Sequence, residues 1–275
     1  MHFSAFCIKI GVERFAVATA PGAPDGVRLF DFGGNIVIYS KAYLTRWHDT
    51  DASRVLRPSA MLTYFEETAD LHVRSVGKSL DAMRDENKVG FILSRMTMVF
   101  HRPVAADAEL LVQTFTCEGH GFSTRRDFRA IDGDEVVAEA TSTWALVDVE
   151  SKRPIRIANA PFEFRHEAPL TIDAPVRVMI PKDLELEKVG ERRIAYSDID
   201  YNLHMNNTRY PDMLCDFMPN MSGKRMRRVT MSFLHEAALS HTLSVYRAEQ
   251  NGIYYFRTLD GDCVCLEAEV EIENV

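Results

Sequence analysis

Apolar positions recur along this chain with two different periods, and the order of the two is given twice. After Pro58, Leu62, Phe65, Ala69, Val73 and Val76 return at helical spacing, which predicts a helix from Pro58 to a stop at Gly77. Strand-like runs follow near 90–101, 109–118, 122–131 and 135–149, the last two separated by the hairpin signal Asp132-Gly133. In the second half a helix is expected over 207–218, because Pro211 fits only a first helical turn and Pro219 cannot continue one. Strand-like runs then recur near 227–235, 242–249, 252–259 and 263–273. In the last, Val264, Leu266, Ala268, Val270 and Ile272 alternate with Glu267, Glu269, Glu271 and Glu273, so one face is buried and the other wet. One helix laid on an antiparallel sheet, repeated, is an α+β organisation.

Between the halves, residues 151–186 hold Pro154, Pro161, Pro169, Pro175 and Pro181 and read as an inter-domain connection draped over the surface. The expected division is therefore 41–150, a linker over 151–186, and 187–275. Residues 1–40 are read either as an extra strand or as an extension.

The densest chemistry lies in Asp200-Tyr-Asn-Leu-His-Met-Asn-Asn-Thr-Arg-Tyr210. Asp200, Asn202 and His204 stand at alternate positions, which in extended backbone puts all three on one side. A carboxylate, an amide and an imidazole brought together can serve hydrolysis or proton transfer. The helix start that follows, at Met205 to Asn207, would offer backbone N–H groups to a developing oxyanion. The same residues also suit a polar turn with Asn206 or Asn207 as N-cap. The repeat bears on this choice. Asp49-Thr-Asp51 sits where Asp198-Ile-Asp200 sits, each ahead of its helix, and counting on places Ser53 opposite Asn202 and Val55 opposite His204. The first copy keeps the acids and lacks the amide and the imidazole, so one half is expected to catalyse and the other to shape a pocket.

Composition narrows the class. With 275 residues, 46% of them hydrophobic, the chain can fill two small cores. No apolar run approaches the ~18 residues of a membrane span, and Lys9, Glu13 and Arg14 interrupt any signal core, so a cytoplasmic protein is expected. The five cysteines lack CxxC spacing and are read as reduced thiols, Cys215 as a core residue; the nine histidines form no ligand cluster, so neither metal nor cofactor is expected. A net charge of −8 speaks against nucleic acid as a general partner. Local exceptions are Lys224, Arg225, Arg227 and Arg228, and Arg125, Arg126 and Arg129.

The Asp-x-Asn-x-His-x-Asn-Asn segment resembles the active-site signature of the plant and bacterial acyl-ACP thioesterases, a double hotdog family. Three further segments are similar to that family in the same order: Glu66-Glu-Thr-Ala-Asp-Leu-His72, Arg125-Arg-Asp127 after Gly119-His-Gly121, and Ala140-Thr-Ser-Thr-Trp144. The matches run from about Lys41 to about Ala238. The resemblance implies a tandem hotdog, two antiparallel sheets each wrapping a long helix, with an acyl-chain pocket in the first half and catalysis in the second. It implies hydrolysis of the acyl-[acyl-carrier-protein] thioester to free fatty acid, with the carrier protein as partner and no cofactor. Hotdogs pair, and a tandem chain can pair again, so a homodimer stays open.

Carried over by residue, the resemblance gives Asp200, Asn202 and His204 their roles and places the family's downstream Glu-Cys pair at Glu236-Ala237. Ala237 departs from the plant pattern and rules out an acyl-cysteine there. Water activated by a carboxylate remains, with Glu236 as the better base and Asp200 in reserve, each helped by partial burial. His235 is read as a sheet residue. Met61, Phe65, Met96 and Met98 are the candidate acyl-chain lining. Because the family's carrier is acidic, Lys224, Arg225, Arg227 and Arg228 are the candidate docking patch, followed by Arg125, Arg126 and Arg129. Two rival readings are an acyl-CoA thioesterase on the same fold and a non-catalytic acyl-binding or regulatory hotdog protein.

Overall fold

The computed structural model describes residues 6–10, 13–18, 26–30, 36–76, 79–160 and 166–275. They fall into two compact units, one of Met1–Leu44, Tyr64–Leu93 and Ala108–Thr171, the other of Thr45–Thr63, Ser94–Asp107 and Ile172–Val275.

The first unit carries strands β1 (Phe6–Ile10), β2 (Glu13–Ala18), β3 (Gly26–Phe30), β4 (Ile36–Leu44), the start of β5 (Val89–Phe100), β6 (Glu109–Thr116), β7 (Ser123–Asp132) and β8 (Glu135–Asp148). They lie in the order β1-β2-β3-β4-β6-β7-β8-β5. The stretch 1–40, for which the sequence left two readings open, thus contributes three strands and the start of a fourth. Asp132 pairs with Glu135 across a two-residue turn, and Gly133 there has φ +61°, the left-handed geometry such hairpins require. Helix α1 (Pro58–Ser75) supplies Phe65, whose ring lies 5.0 Å from that of Phe128 on β7. Both are fully buried, worth about 1.5–3 kcal/mol each. The expected stop of this helix at Gly77 lies outside the described residues.

A second helix, α2 (Leu80–Asn87), has no counterpart in the sequence reading. It is short and polar, and only Met83 is buried, so it shows no apolar period. Ser79 caps it by accepting from the Ala82 N–H at 3.0 Å, and Lys88 closes it at φ +57°.

The second unit takes the rest of β5 with β9 (Glu187–Arg193), β10 (Lys224–Phe233), β11 (Thr242–Gln250), β12 (Ile253–Asp260) and β13 (Cys263–Asn274), in the order β5-β10-β13-β12-β11-β9. Strand β10 runs antiparallel to β5, pairing Val229 with Met98 and Met231 with Met96. The β11–β12 turn uses Asn251 and Gly252, both at positive φ. The second-half helix is shorter than the first: a 3₁₀ turn over Asn207–Arg209 leads into α3 (Tyr210–Asp216), seven residues against eighteen.

The connection is anchored within each unit. In the first unit, Leu170 donates its N–H to Asp127 at 2.7 Å and its carbonyl accepts from Arg125 at 2.9 Å. In the second unit, the Val178 N–H donates to Ser232 Oγ at 3.2 Å. Leu170 and Val178 are both buried, which anchors the segment at two points.

Candidate active site

The Asp200–His204 segment is a closed turn, not extended backbone. Leu203 adopts φ +65°, its N–H donates to the Asp200 carbonyl at 3.0 Å, and the Asp200 N–H reaches the His204 carbonyl at 3.3 Å. The alternate-position argument for a shared side therefore does not hold. Asp200 organises the turn instead: Oδ1 accepts from the Asn202 N–H at 2.8 Å and Oδ2 from the Asn206 side-chain amide at 3.1 Å. Asn206 is also the N-cap of the turn that follows, accepting from the Thr208 N–H at 2.9 Å.

The first copy repeats the backbone bonds of this frame. Asp51 Oδ1 accepts from the Ser53 and Val55 N–H groups, Arg54 stands at φ +63°, its N–H donates to the Asp51 carbonyl, and the Asp51 N–H donates to the Val55 carbonyl. Thr50 bridges Leu56 as Ile199 bridges Met205, and Val55 bridges Ala105 as His204 bridges Ala238. Leu56 donates to the Val104 carbonyl as Met205 donates to that of Ala237. The flanking acids match too: Asp49 and Asp198 are buried at the ends of 3₁₀ turns, each accepting from a backbone N–H three residues back and from an arginine, Arg46 and Arg192 respectively. In this register Ser53 corresponds to Asn202, Val55 to His204 and Pro103 to Glu236.

In the second copy, His204 Nε2 lies 3.6 Å from Glu236 Oε1. The two come from opposite sides of the Met205–Ala237 hydrogen bond, His204 from the turn and Glu236 from the segment after β10. Glu236 is half exposed, so the partial burial expected of a base is modest here, while His204 is mostly covered, at 24% side-chain exposure. Of the three amides expected at the helix start, that of Met205 is engaged by Ala237 and that of Asn206 by the Asp198 carbonyl at 2.9 Å. The Asn207 N–H is the one left for an oxyanion. His235, beside Glu236, binds the Val264 carbonyl through Nδ1 at 2.8 Å.

The other candidates fare differently. Met61, Phe65, Met96 and Met98 are all buried to within 1%. Met61 lines a shallow cleft together with Asp51, Val55, Arg102, Pro103 and Cys215. That cleft belongs to the first copy of the frame rather than to His204 and Glu236. The docking arginines are largely consumed by structure. Arg225 is buried against Glu273, Arg227 pairs with Glu271, and Arg228 pairs with Glu271 and the Asp173 carbonyl. Arg126 is buried and Arg125 is held by Asp127 at 2.7 Å, so neither is a free surface charge; Arg129 pairs with Glu139 at 3.3 Å. Lys224 stands apart from these pairs at the first position of β10.

Models of the acyl-ACP thioesterase N-terminal domain and C-terminal domain match residues 37–163 and 182–262. The chain belongs to the acyl-ACP thioesterase family. Its relatives include a chloroplastic palmitoyl-acyl carrier protein thioesterase of Cuphea hookeriana, 25% identical over 72% of this chain and 52% of that protein. A chloroplastic oleoyl-acyl carrier protein thioesterase of Coriandrum sativum is 22% identical over 72% and 59%. The chain spans about half the length of the curated relatives it matches. An acyl-ACP thioesterase structure from Bacteroides thetaiotaomicron aligns with TM-score 0.78 at 22% identity, covering 86% of this chain and 98% of that one. The 12:0-ACP thioesterase from Umbellularia californica aligns at 0.74 and 16%, with the same coverage. The fold is the tandem hotdog.

The family-like segments of the first half meet in the first unit. Arg126 Nη1 donates to His72 Nδ1 at 3.0 Å and to Thr114 Oγ1 at 3.1 Å. A guanidinium only donates, so His72 is the neutral tautomer protonated at Nε2. Burial, and then the neighbouring Arg126 charge, push its pKa well below the ordinary histidine value. Burial likewise brings Arg126 down to about 10. Ser142 Oγ donates to the Arg126 carbonyl at 2.9 Å and accepts from Trp144 Nε1 at 2.7 Å. In this thioesterase-family chain these motif residues are joined to one another as a buried polar network. Sequence reasoning found the strings but not their junction, because nothing local in a helix or a strand says which partner it meets.

The thiols of Cys117 and Cys215 are pushed up to about 12 and that of Cys265 to about 11, in each case chiefly by burial. Among the described residues, no helix is long and apolar enough to cross a membrane.

Proposed function

We propose that this chain hydrolyses the thioester of an acyl-acyl carrier protein, releasing a free fatty acid. The observation that carries the reading is the His204–Glu236 pair, present in one copy of a repeated frame and replaced by Val55 and Pro103 in the other. An acyl-binding protein without chemistry has no use for that asymmetry. The relatives' names supply the substrate class, since each is called an acyl carrier protein thioesterase or hydrolase.

Glu236 is the general base. Its carboxylate takes a proton from water as the water oxygen adds to the thioester carbonyl carbon. The negative charge gathers on the carbonyl oxygen, where the Asn207 N–H can receive it. Collapse breaks the carbon–sulfur bond, and the proton held by Glu236 passes through His204 to the departing thiolate. Asp200 is not the base in this scheme, because both of its oxygens hold the turn that presents His204. Raised thiol pKa values at Cys117, Cys215 and Cys265 support attack by water rather than by cysteine. Free thiols at these positions and at Cys263 also support a cytoplasmic place of action.

The test is hydrolysis of acyl-ACP and acyl-CoA of equal chain length, read as free thiol released. A higher kcat/KM on the carrier-protein substrate supports the reading. Preference for acyl-CoA moves the chain to the other carrier, and no release from either ends the proposal.

A further inference from the structure

The repeated frame allows a comparison beyond the reacting groups. Around the His204–Glu236 pair stands a collar of four exposed apolar side chains: Tyr201 at 67%, Leu203 at 68%, Leu234 at 48% and Leu239 at 39% exposure. Tyr201 and Leu203 belong to the Asp200 turn itself. Leu234 closes β10 just before His235, and Leu239 follows Ala238, the bridge partner of His204. The matching positions of the first copy are Ala52, Arg54, His101 and Ala106. The four matched positions of the first copy are thus small or polar, although its flank exposes Leu44 and Trp47. Two exposed arginines also lack counterparts: Arg193 at the end of β9 and Arg209 before α3 match Leu44 and Ala60.

Resting on the function proposed above, we infer that Tyr201, Leu203, Leu234 and Leu239, flanked by Arg193 and Arg209, form the surface on which the carrier protein docks. Exposed apolar groups gathered at one place mark an interaction face, and the partner is narrowed by what they surround. Glu236 is half exposed in the free protein, so the site is closed to water only when something lies over it. A second copy of the chain would close it against substrate. A lipid surface bearing anionic headgroups would meet the half-exposed Glu236 carboxylate. A carrier that brings its own thioester satisfies both demands, covering the collar while its arm reaches the pair. The two arginines suit a carrier of acidic surface, and they replace the β10 arginines, which are paired with Glu271 and Glu273.

The experiment compares wild type with Arg193→Glu, Leu239→Glu and the double variant, and with Leu239→Met as the conservative control. Three readouts are taken: steady-state hydrolysis of acyl-ACP, hydrolysis of acyl-pantetheine of the same chain, and affinity for acyl carrier protein loaded through a non-hydrolysable amide. The double variant is expected to raise KM for acyl-ACP, and Kd for the amide-linked carrier, by at least about tenfold, the scale of a lost interface anchor. Acyl-pantetheine kinetics should stay within about twofold, and Leu239→Met should behave as wild type. Equal loss on both substrates, or no loss on either, overturns the proposal while leaving hydrolysis intact. If wild type hydrolyses neither substrate yet binds the amide-linked carrier through the collar, the docking face stands and the hydrolytic reading falls. If the double variant instead splits a dimer seen by light scattering, the collar is a contact between copies and the proposal fails.

Discussion

His204 and Glu236 stand 3.6 Å apart at two positions that an otherwise identical backbone frame, earlier in the chain, gives to Val55 and Pro103. The frame's aspartates, Asp51 and Asp200, tie the turns in both copies, while the His204–Glu236 pair exists in one.

Glu236→Ala and His204→Ala should each lower kcat by on the order of 10²-fold or more, the usual scale for a lost acid–base group. Neither bond network of the turn depends on these two side chains, so thermal stability should move little. Single-turnover assays beside calorimetry separate the two effects. Near-native turnover in Glu236→Ala would hand the role of base back to Asp200.

Asp200 and Asp51 give a matched pair of stability probes. Each carboxylate accepts two hydrogen bonds inside its turn, so Asp200→Ala and Asp51→Ala should each cost about 1–3 kcal/mol. The Asp51 variant should retain its kcat. Asp200→Ala should lose activity as well, because Leu203 and His204 hang on the same turn, and Asp200→Asn should recover part of both. A large loss of kcat in Asp200→Asn with unchanged stability would contradict the structural role.

Much of this was legible in the chain. Strict alternation through Val264–Glu273 gives β13 nearly to its ends, and the paired Asp-x-Asp strings gave the register of the two frames before any bond was seen. What stayed hidden had no local signal. Leu203 at φ +65° is held there by the bonds around it, since nothing in a leucine favours that region. Helix α2 buries one residue and so leaves no periodic trace. The expectation of a shared side for Asp200, Asn202 and His204 failed because it assumed extended backbone where the Asp200 carboxylate folds the chain back on itself. The pairing of the β10 arginines with Glu271 and Glu273 was not legible because those glutamates arrive from β13, some 45 residues later, in an order that only strand pairing reveals.

The His72–Arg126 contact makes stability depend on pH. His72 is neutral in the fold with its pKa held well below 6.5, whereas the unfolded chain takes up a proton near the ordinary value. Below about pH 6.5 the unfolded state therefore binds more protons than the native one, and stability falls as pH drops toward the native pKa. Above that window His72 contributes no slope. Replacing His72 by Gln, which keeps a carbonyl acceptor for Arg126, should flatten the Tm profile between about pH 5 and 6.5. Identical profiles for the two proteins would place the acid sensitivity elsewhere.

Substituting Cys117, Cys215, Cys263 and Cys265 together by Ser or Ala should leave kcat within about tenfold, because water is the attacking group. Alkylation should discriminate among them. Cys263 is exposed and should react first, while the thiols pushed up to about 11 or 12 stay protonated near neutrality and react slowly. Mass spectrometry after brief iodoacetamide treatment reads the order, and a trapped acyl-cysteine at any of them would end the water mechanism.

Arg225 tests what the β10 cluster does. Its guanidinium is buried, meets Glu273 on β13 and donates to the Phe100 carbonyl, so it holds the β10–β13 strand pair at the end where β5 also finishes. Charge reversal leaves two carboxylates facing each other in a poorly solvated place, and breaking such a pair costs about 3 kcal/mol or more. Arg225→Glu should therefore lower Tm sharply. For what folded protein remains, the ratio of acyl-ACP to acyl-pantetheine activity should stay at the wild-type value. The exchange Arg225→Glu with Glu273→Arg should regain a good part of the stability, because the ion pair is restored with its polarity reversed. A variant of unchanged stability that lost only carrier-protein activity would return this arginine to the docking surface.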